Sequence, residues 1–261
     1  MIFLTNSLNL LSFNIRYANN KDGVNKWGSR KHLVFDIIRE FGTGIFGLQE
    51  ALANQIAEIE AEFPSYQRAG VGRDDGVEAG EHCPIFVNTG CIEFLESGTF
   101  WFSDTPDVPG SAHWGNSLPR IATWVYIEHK TSGQQLVVYN LHVDHISQPS
   151  RERSSELVLQ HIHAHFHQLP TIIMGDFNAG ESNPAVTKLH SNFRDTFRAI
   201  HPKETQVGTF HDFTGTPEPE KIDHIFVSQE FLIHSAEIIR FNQNGRYPSD
   251  HFPVTAVVGI D

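Results

Sequence analysis

The sequence has 261 residues, 39% of them hydrophobic, with 20 Phe and 4 Trp, enough apolar material to bury a sizeable core and to exclude disordered and collagen-like chains. Lys and Arg number 19 against 31 Asp and Glu, a formal net charge of −12, and no long basic run offsets it; such a surface repels polyphosphate and argues against avid, sequence-independent binding to duplex DNA. Cys83 and Cys91 are too few for a disulfide framework or a thiolate zinc cluster and read as two half-buried core thiols.

In chain order, the opening MIFLTN lacks the basic flank, long apolar run and small-residue cleavage site of a signal peptide, and no window approaches 18 consecutive apolar residues. A cytoplasmic chain without membrane insertion is the expectation, its oligomeric state left open. Residues 8–15 (LNLLSFNI) alternate with the period of a strand, which puts Asn14 at its C-terminal end. Val34, Ile37, Ile38 and Phe41 recur at helical spacing over 29–41, and 44–48 (GIFGL) is a short apolar run bounded by glycines. Leu52, Ile56, Ile59 and Phe63 form a second helical stripe over 51–63.

The middle of the chain changes texture. Short β-rich runs at 84–88, 98–102, 121–128 and 135–141 are separated by Gly, Pro, Asp and Ser, and Thr131-Ser132-Gly133 reads as the turn of a hairpin. A helix over 150–168 presents Val158, Ile162, Phe166 and Leu169, the strand 171–174 (TIIM) leads into Gly175, and Asn183-Pro184 has the form of an N-cap followed by proline at the first helical position. Strands at 222–227 and 253–258 close the chain. With no repeat, linker or low-complexity segment, the pattern predicts one domain over 1–261 of mixed α/β sandwich type.

Polar residues recur where these apolar runs end. Asn14 ends the first strand, Gln49-Glu50 follows the second, Asn140, His142 and Asp144 close another, Gly175-Asp176-Phe177-Asn178 follows 171–174, Asp223-His224 lies beside 222–227, and Ser249-Asp250-His251 precedes the last. Strand ends and their loops are where an α/β scaffold gathers polar groups at little cost to its core. Oxygen ligands without a thiolate favour Mg²⁺ or Mn²⁺, and an ion held by one or two carboxylates keeps waters and binds substrate phosphate. A His beside a carboxylate can act as general base or electrophile. Metal-assisted phosphoester hydrolysis follows from this inventory, although each residue taken singly also reads as an ordinary cap or turn former.

The blocks SFNIRY (12–17), GLQE (47–50), NLHVDH (140–145), GDFNA (175–179), KIDHIF (221–226) and PSDHFPV (248–254), in that order, resemble the endonuclease/exonuclease/phosphatase superfamily of metal-dependent hydrolases. VGRDDG (71–76), GTFWFSDTPDVPGS (98–111) and LPRIATWV (118–125) resemble a bacterial branch of it. The resemblance implies a DNase-I-like four-layer α/β sandwich, two mixed β-sheets packed face to face and flanked by helices, with the site at one end. It implies Glu50 as principal metal ligand, with Asn14 and Asp250 completing the metal site directly or through water. Asp176 and Asn178 would orient the attacking water and hold phosphoryl oxygens. His251, paired with Asp223, would polarise the phosphate or activate water, and His142 would be a phosphate ligand or leaving-group acid.

Arg120, just before a strand, reads either as a bidentate phosphate clamp or as a solvated surface arginine; Arg73, in a Gly- and Asp-rich loop, has the same two readings, and Arg16 is a further candidate. Asp74, Asp75, Glu78 and Glu81 read as a solvated acidic loop. Two departures from the bacterial branch, the stretch His113-Trp114-Gly115-Asn116 and Val87 after PIF, are expected in substrate-facing loops. His161, His163, His165 and His167 read as a solvated helix face on which only i, i+4 pairs meet. The functional expectation is a Mg²⁺- or Mn²⁺-dependent phosphoesterase acting on a small or flexible phosphodiester or phosphomonoester. The alternatives are a nuclease acting on DNA or RNA, with duplex not favoured, and a non-catalytic metal- or phosphate-binding module, which would show erosion of the Glu, Asp-x-Asn or Asp-His positions; none is eroded.

Overall fold

A computed structural model describes residues 7–42 and 44–260, so the opening MIFLTN lies outside the described residues. The elements, in order, are β1 Ser7–Asn14, α1 Trp27–Phe41, β2 Ile45–Gln49, α2 Ala53–Glu62, β3 Tyr66–Ala69 and β4 Ile85–Asn88, then β5 Ile92–Trp101, β6 Ile121–His129, β7 Gln134–His142 and α3 Gln148–His165. They continue with β8 Thr171–Asp176, α4 Pro184–Thr187, β9 Phe193–Asp195, α5 Thr196–Ile200, β10 Asp223–Ser228, β11 Phe231–Ile238 and β12 Val254–Ile260.

The strands form two six-stranded sheets, ordered β11-β12-β1-β2-β4-β3 and β5-β6-β7-β8-β10-β9. Each is mixed: β1 and β2 run parallel in the first, β7 and β8 in the second, and the remaining pairs are antiparallel. The two-residue period divides each strand between two cores. Leu8, Leu10, Ile45, Ile85 and Val87 meet Val125, Val138, Ile172, Met174 and Ile225 between the sheets. Leu11, Phe13, Phe46 and Leu48 face outward onto Val34, Ile37, Ile56 and Ile59 of α1 and α2. On the other flank Val137, Tyr139 and Ile173 cover Val158 and Ile162 of α3. The result is the four-layer sandwich expected, and truncating a fully buried side chain such as Leu10 to Ala should cost about 2–5 kcal/mol.

One polar device crosses the apolar seam directly beneath the strand ends. The Asn140 amide nitrogen donates to Leu48 O at 2.8 Å and Pro84 O at 2.9 Å, and its oxygen accepts from Gln49 Nε2 at 2.6 Å. Asn140 therefore ties the second sheet to the first. Gly47 makes room for it, since a Cβ there would come within 2.7 Å of the Asn140 side chain.

Several expectations change. Val87 is buried in β4 between the sheets and faces no substrate loop. His161 is half-buried, its Nδ1 2.8 Å from the Tyr139 hydroxyl and its ring stacked on Phe100, so it belongs to the packing of α3; the neighbouring His163 and His165 are exposed as expected. β3, β9 and β11 were not foreshadowed by any clear alternation. Among the described residues, no helix is long and apolar enough to cross a membrane.

Candidate active site

The C-terminal ends of β1, β2, β7 and β8 and the N-terminal ends of β10 and β12 all lie at one end of the sandwich. There they surround a cavity of about 710 Å³ lined by Arg16, Glu50, Arg73, Glu81, Arg120, His142, His145, Asp176, Asn178, Asp250 and His251, among others. Asn14 and Asp223 stand immediately behind its wall, bonded to Asp176 and His251. All eleven candidates read from the sequence, Arg16 included, are thus brought together.

The first sheet supplies an acidic half. Asn14 Nδ2 lies 3.2 Å from Glu50 Oε1 and 2.9 Å from Asp176 Oδ2, while Asn14 Oδ1 accepts the Arg16 N–H at 3.0 Å. The amide thus turns its nitrogen to the carboxylates and spends its oxygen on the chain, which gives Asn14 a donor's place in this arrangement. Tyr17 N–H reaches Glu50 Oε2 at 3.2 Å. Arg16 and Glu50 both hold left-handed backbone, φ 54° and 61°, a conformation costing roughly 1–2 kcal/mol per residue and kept by these bonds.

Beneath this half lies Arg30, whose side chain is almost fully buried. It donates to Asn25 O (2.8 Å), Ile15 O (2.6 Å), Pro248 O (2.7 Å) and Arg16 O (2.7 Å), fixing the chain on either side of Asn14 and just before Asp250. Burial lowers its pKa to about 10, which still leaves it cationic at neutral pH. Sequence inspection missed Arg30 because its position on α1 reads as an ordinary solvated helix arginine.

At the seam, Asp223 Oδ2 lies 2.9 Å from His251 Nδ1, and His251 Nε2 is 3.9 Å from Asp176 Oδ2. Burial opposes a charge on His251, but Asp223, with its charge and hydrogen bond, and then Asp176 and Asp250 outweigh it and hold the imidazole pKa well above its usual value. Asp176 is pushed up to about 7 by burial and by the Asp223 charge, partly offset by His251 and by hydrogen bonds from Asn178 N–H and Asn14. A charged imidazole thus faces a carboxylate whose pKa has been brought near neutrality.

The second sheet supplies a cationic half. Arg120, 4% exposed, donates through Nη1 to His142 Nε2 at 3.0 Å and through Nη2 to His145 Nδ1 at 2.8 Å, and its Nε lies 3.6 Å from Asp144 Oδ1. Burial, reinforced by the Arg120 and Arg73 charges, holds the His142 pKa well below the usual value, so the ring is neutral. Because Nε2 accepts from Arg120, its hydrogen sits on Nδ1, 3.8 Å from Glu81 Oε2. Arg73, also buried, pairs with Glu81 at 2.6 Å. Neither arginine is the solvated one that sequence allowed, and Glu81, though read with the solvated acidic loop, turns into the cavity. Asp144 accepts the N–H groups of Ile146 and Ser147 at 2.9 and 2.6 Å at the start of α3. His145 and Asp144 act on Arg120, which their position after a strand alone did not disclose.

The donor set suits a hard divalent cation. Glu50, Asp176, Asp223 and Asp250 all offer oxygen, and ligand atoms of Asp176, Asp223 and His251 lie within 4.8 Å of one another. Asp223 Oδ1 is buried without a hydrogen-bond partner among the described residues. No thiolate competes, since burial pushes the Cys83 thiol pKa far up.

Comparison with known proteins agrees with this chemistry. Residues 11–251 match the Endonuclease/Exonuclease/phosphatase family. A crystal structure of a family protein from Bacteroides thetaiotaomicron superposes with a TM-score of 0.91 at 34% identity, covering 98% of both chains. The mannosyl-6-phosphatase of Bacteroides thetaiotaomicron VPI-5482 gives 0.88 at 33% identity, covering 96% of this chain and 99% of that one. Ccr4, the 3'-5'-exoribonuclease subunit of the CCR4-Not complex of Mycosarcoma maydis, is 24% identical over 342 residues, 97% of this chain but 50% of that protein.

Proposed function

The chain belongs to the endonuclease/exonuclease/phosphatase family of phosphoester hydrolases, and from that premise we propose that it cleaves a small or flexible phosphoester, presenting a single phosphate, with Mg²⁺ or Mn²⁺ as cofactor. The observation that carries this reading is the division of one cavity into an acidic half and a cationic half with Asp176 and His251 between them. Glu50 and Asp250 would hold the cation, which when bound supplies a positive charge that polarises a phosphoryl oxygen.

The chain's own groups do the rest. Arg120, gripped by His142, His145 and Asp144, is aimed at the cavity and receives phosphoryl oxygens; Arg73 is its partner across Glu81. Neutral His142 acts by positioning Arg120, which fits its protonation better than the role of leaving-group acid. Asp176, near neutrality, accepts the proton of the attacking water, and Asn178, whose N–H holds Asp176 Oδ1 at 2.8 Å, keeps that carboxylate turned. His251, charged and fixed by Asp223, offers Nε2–H to the phosphoryl group or leaving oxygen. The whole chain is read as one catalytic domain.

A phosphatase named for a mannosyl phosphate among the structural relatives supports a monoester of a small, hydroxyl-rich alcohol. The nuclease reading draws on the similarity to Ccr4, while the net charge of −12 weighs against a gripped duplex. The test is a panel of phosphomonoesters, phosphodiesters and single- and double-stranded nucleic acids, assayed with Mg²⁺ and with Mn²⁺. Turnover of small phosphoesters that His251→Ala loses is the expected result; wild-type rates in His251→Ala would overturn the assignment.

A further inference from the structure

Arg16 is the cavity residue whose neighbours are least like those of a substrate clamp. Its Nη1 lies 3.9 Å from Glu50 Oε2 and its Nε 3.7 Å from Asp250 Oδ2, so one guanidinium stands between the two carboxylates read above as the cation's. The same group is tethered sideways: Nε and Nη2 each reach Asp22 at 3.3 Å, in the turn Asn20–Asn25, and the guanidinium carbon lies 4.5 Å from the Tyr17 ring centre. Its side chain keeps 27% of its surface exposed, so it has room to move. Its backbone does not. The Arg16 N–H is held by Asn14 Oδ1 and its carbonyl by Arg30 Nη2 and Gln55 Nε2.

We propose that Arg16 is an internal counter-ion that competes with the divalent cation for Glu50 and Asp250, and that Asp22 weakens this competition by drawing the guanidinium toward the edge of the site. Two carboxylates brought together repel one another, and a permanent cation between them relieves that repulsion when no metal is bound. An arginine guanidinium stays protonated over the whole accessible pH range, and here it faces the carboxylates of Asp22, Asp250 and Glu50. The positive charge is therefore permanent. A divalent cation must share those carboxylates with a like charge, so Arg16 sets the concentration at which the site fills.

The inference rests on Glu50 and Asp250 being the cation's carboxylates, and it makes predictions of opposite sign at two neighbouring residues. Mn²⁺ binding to the full chain is measured by calorimetry, without substrate. Arg16→Gln, which keeps a polar side chain and leaves the main-chain bonds alone, should bind Mn²⁺ about tenfold more tightly, the order expected for removing one nearby unit charge. Arg16→Lys, which keeps the charge, should stay near wild type. Asp22→Asn should bind several-fold more weakly, and in an Arg16→Gln background most of that loss should vanish, because Asp22 acts mainly through Arg16.

If Arg16 served only to brace the fold, Arg16→Gln would bind Mn²⁺ no better than wild type, and that result would overturn the proposal. A loss at Asp22→Asn that is fully retained in the double variant would overturn it as well. Glu50→Gln separates the two levels of argument. Weakened Mn²⁺ binding there upholds the carboxylate assignment whatever Arg16 does, whereas unchanged binding removes the assignment and the competition together.

Discussion

Adjacent residues of β10 enter two aspartate–histidine pairs of nearly equal geometry and opposite electrostatics. Asp223 meets His251 at 2.9 Å, and His224, on the other face of the strand, meets Asp195 at 3.0 Å. Around the first pair stand two more carboxylates, Asp176 and Asp250, and the imidazole is held charged. Into the second pair comes Lys221, whose Nζ lies 2.6 Å from both Asp195 Oδ2 and His224 Nδ1. Burial and then the Lys221 charge lower the His224 pKa; its Nε2–H is left to donate to Ala179 O at 3.1 Å. Burial works against the Asp195 charge, yet the Lys221 ammonium holds its carboxyl far below the usual range. The same pair of side chains becomes a proton-handling device or a fixed brace according to the third charge beside it, and only the first opens onto the cavity.

The largest effects should separate the pairs cleanly. His251→Ala should lower kcat by roughly 10²–10⁴-fold, the range for losing a positioned acid or base, while its urea unfolding midpoint falls less than that of Lys221→Met. Lys221→Met should do the reverse. It strands the buried Asp195 carboxylate and should cost about 3–5 kcal/mol of stability while kcat stays close to wild type. If both variants lost activity and stability together, the division between device and brace would fail.

The pairs should also answer pH in opposite directions. The Asp195 pKa is depressed in the folded state, so its stabilisation is present above the unfolded value of about 3.9 and is lost as pH falls through the folded value. The His251 pKa is raised, so its stabilisation is present below the unfolded value of about 6.5 and is lost as pH rises through the folded value. Urea midpoints should therefore show an acid-side decline that Asp195→Asn flattens and an alkaline decline that His251→Ala flattens. Swapped behaviour would mean the charges have been placed on the wrong pair. A smaller effect is expected at Asp223→Asn, which misorients the His251 ring without deleting it and should reduce kcat less than His251→Ala does.

Smallest of all should be the response to salt. With about one or two phosphate oxyanions held by Arg120 and Arg73, log K for the substrate should fall by no more than about 0.9–1.8 per decade of salt on the B-DNA coefficient. A KM series from low to moderate ionic strength checks this, and a slope of several units would reveal a nucleic-acid groove that the two halves of the cavity do not explain.

Much of this arrangement was legible before folding because strand alternation and strand ends are local signals. The alternation of 8–15 places Asn14, and the apolar run 171–174 places Asp176 and Asn178. What was illegible depended on distant partners. β11 is an edge strand with a register shift between Ile233 and Ser235 and with His234 and Glu237 interrupting its alternation. β3 carries Gln67 and Arg68 at the opposite edge of the same sheet. Lys221 and Arg30 are buried cations whose acceptors lie far along the chain, Asp195 for one and Pro248 for the other. Asn140 was noticed as a polar strand-end residue, but that it pins one sheet to the other follows only from the packing of the sheets.

The central claim, a metal-dependent hydrolysis of small phosphoesters at the Asp176–His251 seam, is tested most directly by following phosphate release from a small phosphomonoester, beside cleavage of duplex DNA, before and after chelation and on restoring Mn²⁺. The expected result is turnover that chelation abolishes and Mn²⁺ restores, with the small ester processed at least as well as the duplex. Full turnover by chelator-treated protein, or a strong preference for duplex DNA, would contradict it.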